Sequence, residues 1–141
     1  MLHARAVPPR YFTPQEANEL VPTLRAYLFK VRAQGQELRQ LEHARQAAGS
    51  AEERQRIDEA KRQVQLGQGH LLDRILDLGA ELLDPLELGR VRFPALRNGE
   101  PVWLYWTLGE PRVLKWAPVS ARLFGPRPVK EPGAVRWEWR N

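Results

Sequence analysis

One group of residues in this chain that could do chemistry is a set of basic and aromatic side chains within residues 90–116. There Arg92, Arg112 and Lys115 are interleaved with Trp103 and Tyr105. Cationic side chains bind phosphate oxygens and aromatic rings stack on nucleobases, so the pattern suits a surface for an anionic ligand or a nucleic acid. Aromatic residues at alternating positions are more often part of a core, and we favour that interpretation. The anion surface is kept as an alternative.

A second group consists of ionisable residues at helical spacing, namely His70, Asp73 and Asp77. Steps of three and four residues place them on one face of a helix, which is acceptable geometry for a weak metal site or an acid/base pair. A charged, solvated helix face is the favoured alternative, because the Glu-x-x-His pairs of di-iron bundles are absent from the sequence.

The remaining inventory of reactive residues is short. The chain has no Cys, which excludes disulfides, thiolate metal sites and cysteine nucleophiles. Ser50 is explained as a helix cap, Ser120 has no His near it in the sequence, and no Gly-Lys-Ser/Thr phosphate loop is present. We therefore predict a non-enzymatic binding or scaffolding protein without a cofactor and with no catalytic residues, which self-associates through the helical hairpin and the sheet described below. A metal-dependent enzyme is the least favoured alternative.

The length and the net charge of the chain limit the number of domains and the classes of partner. A chain of 141 residues is about one domain. Its 22 Lys and Arg against 17 Asp and Glu give a net charge of +5, which favours anionic partners but also serves solubility. No run approaches the roughly 20 apolar residues that cross a bilayer, and the first twelve residues lack the apolar core of a signal peptide. We expect no membrane association and a cytoplasmic location.

The first helix has a clear start. Thr13 and Glu16 match a capping box, and Pro14 suits the first helical position, so the helix should begin at Pro14. Apolar residues then recur at steps of three and four, which predicts one apolar face. Pro22 lies inside this run and predicts a kink or a break between Asn18 and Pro22, because it cannot donate a backbone hydrogen bond.

Gly49-Ser50 ends the first helix and begins a second, which we extend to Leu82. Joined by so tight a turn, the helices must run antiparallel as a coiled-coil hairpin, which should protrude as an arm. Two helices cannot bury apolar stripes on both sides, so the arm should pack on a second copy, on the sheet or on a protein partner, with self-association favoured. The alternative is a monomer with a solvated hairpin, held by ion pairs such as Arg54 with Asp58.

The second half of the chain alternates apolar and polar residues, which predicts strands. Asn98-Gly99 is a type I′ hairpin signal, and the turn after Leu108 leads to a third strand that ends at Trp116. The result is a three-stranded antiparallel meander in an α+β fold. Residues 135–140 alternate as well, which predicts either an extra C-terminal edge strand or the packing of Trp137 and Trp139 across a neighbour. We predict a single domain over 1–141, made of an arm (14–82), a small sheet (88–128) and a C-terminal extension (129–141).

Two motif blocks then carry a family resemblance. The first is Tyr11-Phe12-Thr13-Pro14-Gln15-Glu16-Ala17-Asn18 with Leu20 and Pro22, and the second contains Phe93-Pro94-Ala95, Asn98-Gly99, Val102, Leu104, Trp106, Leu108-Gly109-Glu110, Trp116 and Gly125. In this order, from about Tyr11 to Pro128, they resemble the bacterial DUF2203 family of small proteins of unknown function. The resemblance implies the fold and no established activity.

Members of that family often place an acidic residue before the Phe-Pro, a Cys before the second Trp of the middle strand, and a His after the Trp of the third strand. This chain has Arg92, Tyr105 and Ala117 at those positions. An acid, a thiol and an imidazole that converge on one sheet face would form a plausible metal or catalytic site. The resemblance therefore implies that this chain has lost any such site, and that Arg92 and Tyr105 bind an anion or fill space. Residues 129–141 extend past the usual family end and could cover the same face.

Overall fold

The computed structural model describes residues 10–119, 127–129 and 139–140, with side chains for all of them except 127, 128, 139 and 140. Two long helices are followed by an antiparallel sheet, so the α+β fold is confirmed. The helices are α1 (Pro14–Ala47) and α2 (Ala51–Asp77), and a short 3₁₀ turn spans Leu86–Leu88. The strands are β1 (Glu81–Leu82), β2 (Arg90–Arg97), β3 (Glu100–Thr107), β4 (Lys115–Pro118), β5 (Arg127–Pro128) and β6 (Trp139–Arg140).

The start of α1 is the predicted capping box. The Thr13 hydroxyl accepts a hydrogen bond from the Glu16 amide at 3.1 Å, and the Glu16 carboxylate accepts one from the Thr13 amide at 2.9 Å. From there α1 continues for 34 residues with Pro22 inside it, so the helix does not break there, and the alternative of a kink stays a prediction. The lost hydrogen bond is tolerated because Val21 and Leu24, on either side of the proline, are both buried in the core.

The end of α2 differs from the prediction. The helix ends at Asp77 and not at Leu82, because Gly79 adopts a left-handed conformation with φ 97°. A Cβ at Gly79 would lie 2.7 Å from the Phe12 ring, so the backbone approaches that ring more closely than any other residue type would allow. Residues 81–82 form β1 instead, and the helical spacing of Leu82 was coincidental.

The sheet contains the predicted meander. Its order is β1-β2-β3-β4-β5, with β6 paired to the far end of β2, and all pairings are antiparallel. Asn98 and Gly99, with φ 53° and 78°, form the predicted turn between β2 and β3. The extra C-terminal strand is present at 139–140, and β1 and β5 are additional strands. Trp137 and the side chain of Trp139 lie outside the described part of the chain, so their predicted packing is not tested.

Alternation gives the sheet two different faces. The first faces the helices and holds the core, in which the residues of β2 and β3 meet α1 and α2; its members include Val91, Phe93, Ala95, Val102, Leu104, Trp106, Leu24, Leu28 and Ile75. We call the opposite side the outer face, and it carries Arg92, Trp103, Tyr105, Lys115 and Ala117 on β2, β3 and β4. The core thus fixes which residues reach the outer face.

The arm extends beyond the core. Gly35 is the last buried residue of α1, and Leu71 is the first buried residue of α2. Between them, residues 36–70 contain no buried side chain, and we call this part the distal arm. None of the described helices has a stretch long and apolar enough to cross a lipid bilayer.

Candidate functional site

Three of the predicted site residues lie in one row across the outer face. Arg92 of β2 is directly opposite Tyr105 of β3, and Tyr105 is directly opposite Lys115 of β4. Glu81 of β1 extends the row on the other side of Arg92. Directly opposed residues on neighbouring strands have their Cβ atoms roughly 5 Å apart, so the register brings these side chains together.

Within this row Arg92 has its charge balanced. Its Nη2 donates a hydrogen bond to Glu81 Oε1 at 2.6 Å, and its guanidinium carbon lies 3.9 Å from the centroid of the Trp103 ring. The Nε atom is buried without a hydrogen-bond partner among the described residues. An ion pair and a cation–π contact together hold the guanidinium flat against the sheet. Arg92 therefore offers an anion less charge than its sequence position suggests.

Trp103 is half-buried between two strands. It lies opposite Pro94 of β2 and Ala117 of β4, and Arg92 covers one face of its ring. A nucleobase could stack only on the other face of the indole. One face of the Trp103 ring therefore holds the Arg92 guanidinium, and only the other face could serve as a stacking platform.

Tyr105 and Lys115 are the less constrained members of the row. Lys115 is exposed and Tyr105 is half-buried, and neither side chain has a hydrogen bond or an ion pair within the part of the chain that the structure describes. Their hydroxyl and ammonium groups are the donors that an anion on the outer face would meet first.

Arg112 does not belong to this row. It lies in the loop between β3 and β4, beside Val113, whose amide donates a 2.6 Å hydrogen bond to Asn18 Oδ1 of α1. Arg112 lines a separate cleft against the first turns of α1, together with Pro14 and Gln15. The predicted five-residue surface is therefore divided between two places.

The positions marked by the family resemblance do share a face. Arg92 and Tyr105 are directly opposed, and Ala117 lies two residues from Lys115 on the same side of β4. In place of an acid, a thiol and an imidazole, this chain has a paired guanidinium, a phenol and a methyl group that is 6% exposed. These three side chains supply no set of metal ligands.

His70, Asp73 and Asp77 all lie exposed on α2. Among the described residues, no group of three or more His, Asp or Glu side chains is arranged to hold a metal ion. The surroundings of all three side chains are those of a solvated helix face.

The distal arm has two ion pairs that join its helices. Arg45 Nε donates to Asp58 Oδ1 at 2.7 Å, and Lys61 Nζ donates to Glu42 Oε1 at 2.7 Å. The hydrogen bond from Arg45 lowers the pKa of Asp58, and the hydrogen bond from Lys61 lowers the pKa of Glu42. Asp58 therefore pairs across the hairpin with Arg45, which corrects the predicted pair within α2.

That within-helix prediction failed because Arg54 lies one turn from the hairpin tip. Its Nη1 donates instead to the backbone oxygen of Ala48, at the end of α1, at 3.5 Å. A carbonyl at a helix C-terminus lacks an intrahelical partner and attracts a cation.

Two residues of these sites were not singled out from the sequence. Glu81 was assigned to the end of a helix, so its place beside Arg92 could not be seen. Asn18 was read only as a motif residue, although a polar side chain on an otherwise half-buried helix face was a signal that it binds a neighbouring backbone group.

Comparison with known proteins identifies the family of this chain. The family model described as "Uncharacterized conserved protein (DUF2203)" matches residues 10–129, from just before the capping box to the residue after β5. Neither the comparison with curated proteins nor the comparison with solved structures found a match. The match covers most of the chain, and the protein belongs to the DUF2203 family.

Proposed function

We propose that this protein is a non-enzymatic binding or scaffolding protein that self-associates through its helical arm. The observation that carries the proposal is the distal arm, residues 36–70, in which no side chain is buried. We propose the cytoplasm as its location, where a chain without Cys meets no conflict with a reducing environment.

The base of the arm is attached to the rest of the molecule by the 3₁₀ turn. Arg32 Nε donates to the Glu87 backbone oxygen at 3.1 Å, and Arg39 Nη1 lies 3.5 Å from Glu87 Oε1. A Cβ added at Gly35 would contact the Glu87 side chain at 3.5 Å, so the turn packs closely on α1 at this point. Among the described residues, the two helices beyond these contacts pack only against each other.

The apolar residues of the distal arm are only half-buried by this mutual packing. They include Leu38, Leu41, Ile57 and Val64. Burying apolar surface contributes roughly 25 cal/mol per Å², so a second pair of helices against this stripe would add stability that a lone hairpin lacks. Leu66, which is 55% exposed, is two residues from Val64 and so lies on the opposite side of α2, where a second arm that packs across this helix would bury it.

The polar residues of the arm favour the same arrangement. The cross-helix pairs Arg45 with Asp58 and Lys61 with Glu42 fix how the two helices align. Because these charges are satisfied within one arm, two arms can approach without strong repulsion. An arm that is pre-ordered in this way also loses little conformational entropy when it associates.

Sedimentation velocity over a range of protein concentrations tests this proposal. We expect a mass above that of the monomer at about 100 µM, with dissociation on dilution. Leu66→Glu should weaken the association, whereas Leu88→Glu, at a leucine 50% exposed on the 3₁₀ turn, should leave it unchanged. A strictly monomeric protein at every concentration would contradict the proposal.

A nucleic-acid-binding module is the second candidate, favoured by the row of Arg92, Tyr105 and Lys115. The ion pair between Arg92 and Glu81 counts against this candidate, because it already balances the charge of Arg92. If the outer face binds single-stranded RNA or DNA, fluorescence anisotropy should show an affinity that falls steeply with salt, and Lys115→Gln should reduce it more than Arg92→Gln. No binding at low salt would remove this candidate.

A further inference from the structure

A cleft lies between the start of α1 and the loop that joins β3 to β4. Its volume is about 510 Å³, within the range of small-molecule sites. The lining residues, which we call the α1 cleft, are Pro14, Gln15, Asn18, Arg112, Val113, Leu114 and Val129. Four of these seven are apolar and three are polar. An apolar wall with a few polar groups is typical of a site that orients a ligand.

The walls of the cleft are held in place by hydrogen bonds. Asn18 Oδ1 accepts from the Val113 amide at 2.6 Å, and Val113 is buried. On the same loop, the Glu110 backbone oxygen accepts from Trp106 Nε1 at 3.0 Å, and the Glu110 carboxylate accepts from the Thr107 amide at 2.8 Å. The loop is therefore fixed to α1 on one side and to β3 on the other, and the cleft is formed before any ligand binds.

These bonds also determine which polar groups remain available. Because Asn18 Oδ1 is the acceptor for a backbone amide, the other end of that side chain is the NH2 group, a donor. Within the described residues, the Asn18 NH2 group and the Arg112 guanidinium have no partner. Arg112 is exposed at the cleft and forms no ion pair there. Among the residues that the structure describes, no acidic side chain lines the cleft.

We propose that the α1 cleft binds a small amphipathic carboxylate, with its apolar body against Val113, Leu114 and Val129. Its carboxylate would accept hydrogen bonds from Arg112 and from the Asn18 NH2 group. Both groups are donors and Arg112 carries a full charge, so an acceptor-only, anionic head group is the complementary ligand. An alcohol of the same size would leave the guanidinium without a counter-charge. This binding site is independent of the proposed self-association of the arm.

Isothermal titration calorimetry with octanoate and 1-octanol tests the proposal on the full chain. We expect one octanoate molecule to bind per chain, and octanol to bind at least about tenfold more weakly than octanoate. The difference arises because only octanoate accepts a charge-assisted hydrogen bond from the guanidinium. Arg112→Gln should weaken octanoate binding about tenfold and leave octanol binding unchanged.

Two further variants separate recognition from misfolding. Asn18→Asp keeps the acceptor for the Val113 amide but replaces the NH2 donor with a negative charge, so it should weaken octanoate binding while circular dichroism stays unchanged. Arg56→Gln, at an exposed arginine of α2 far along the chain from the cleft, should bind octanoate like the unaltered protein. Absence of octanoate binding, equal binding of octanol, or unchanged octanoate binding by Arg112→Gln would each overturn the proposal.

Discussion

The guanidinium carbon of Arg92 lies 3.9 Å from the centroid of the Trp103 ring, on the outer face of the sheet. The two residues are on neighbouring strands, in adjacent rows of the β2–β3 register. Glu81 completes the group by accepting a hydrogen bond from the same guanidinium. An arginine and a tryptophan that could have formed a nucleic-acid surface therefore bind each other in this chain.

A double-mutant cycle measures that contact. Arg92→Gln and Trp103→Leu, alone and together, should show a coupling of about 0.5–1 kcal/mol in the free energy of unfolding, as expected for a partly exposed cation–π pair. Urea denaturation supplies the four values. The same cycle with Arg90→Gln in place of Arg92→Gln serves as the control, because Arg90 donates to the Asp84 backbone oxygen instead. Equal coupling energies in both cycles would show that the contact between Arg92 and Trp103 contributes no stabilisation of its own.

The arm should lose stability in acid. The pKa values of Glu42 and Asp58 are lowered in the folded state by Lys61 and Arg45, so both carboxylates stabilise the fold at neutral pH. This contribution is present above the ordinary carboxyl pKa of about 4 and is lost as the pH falls through the lowered folded values. Thermal melts followed by circular dichroism check this expectation.

The matched variant for that experiment is Glu42→Gln with Asp58→Asn. Its Tm should lie below that of the unaltered protein at pH 7, and the gap should close as the pH falls toward 2, where all carboxyl groups are protonated. A gap of constant size over the whole pH range would mean that the ion pairs do not account for the difference.

Two glycines should respond to alanine in opposite directions. At Gly79, with φ 97°, a Cβ would lie 2.7 Å from the Phe12 ring, so Gly79→Ala should destabilise the protein by about 2 kcal/mol or more. At Gly69, inside α2, a Cβ would meet nothing within 4 Å, so Gly69→Ala should stabilise it by up to about 1 kcal/mol. Chemical denaturation measures both. The same sign for both substitutions would contradict this account.

The elements with strong local signals were predictable from the sequence. The capping box at Thr13 and the turn at Asn98-Gly99 each depend on a few neighbouring residues, and both form as predicted. The alternation of β2 and β3 also placed Arg92 and Tyr105 on the same face, because a period of two leaves no other choice once Phe93 is buried.

What was missed depends on distant contacts. The end of α2 is set by the packing of Gly79 on Phe12, which is far away in the sequence, and the error at that point also hid β1 and Glu81. The partner of Asp58 lies across the hairpin at Arg45, where no spacing within one helix reveals it. Asn18 contacts Val113 across 95 positions of the chain, and this contact shapes the α1 cleft.

The most direct test of arm-mediated self-association is a distance between copies. Because the chain has no Cys, a spin label at Gln40→Cys in the distal arm is unique, and a second preparation labelled at Glu100→Cys reports on the sheet. At about 100 µM, double electron–electron resonance should give a distance between arm labels shorter than the arm length of about 50 Å. The sheet labels should give a longer distance or none. A short distance for the sheet labels alone, or no dipolar signal from either position, would contradict the account.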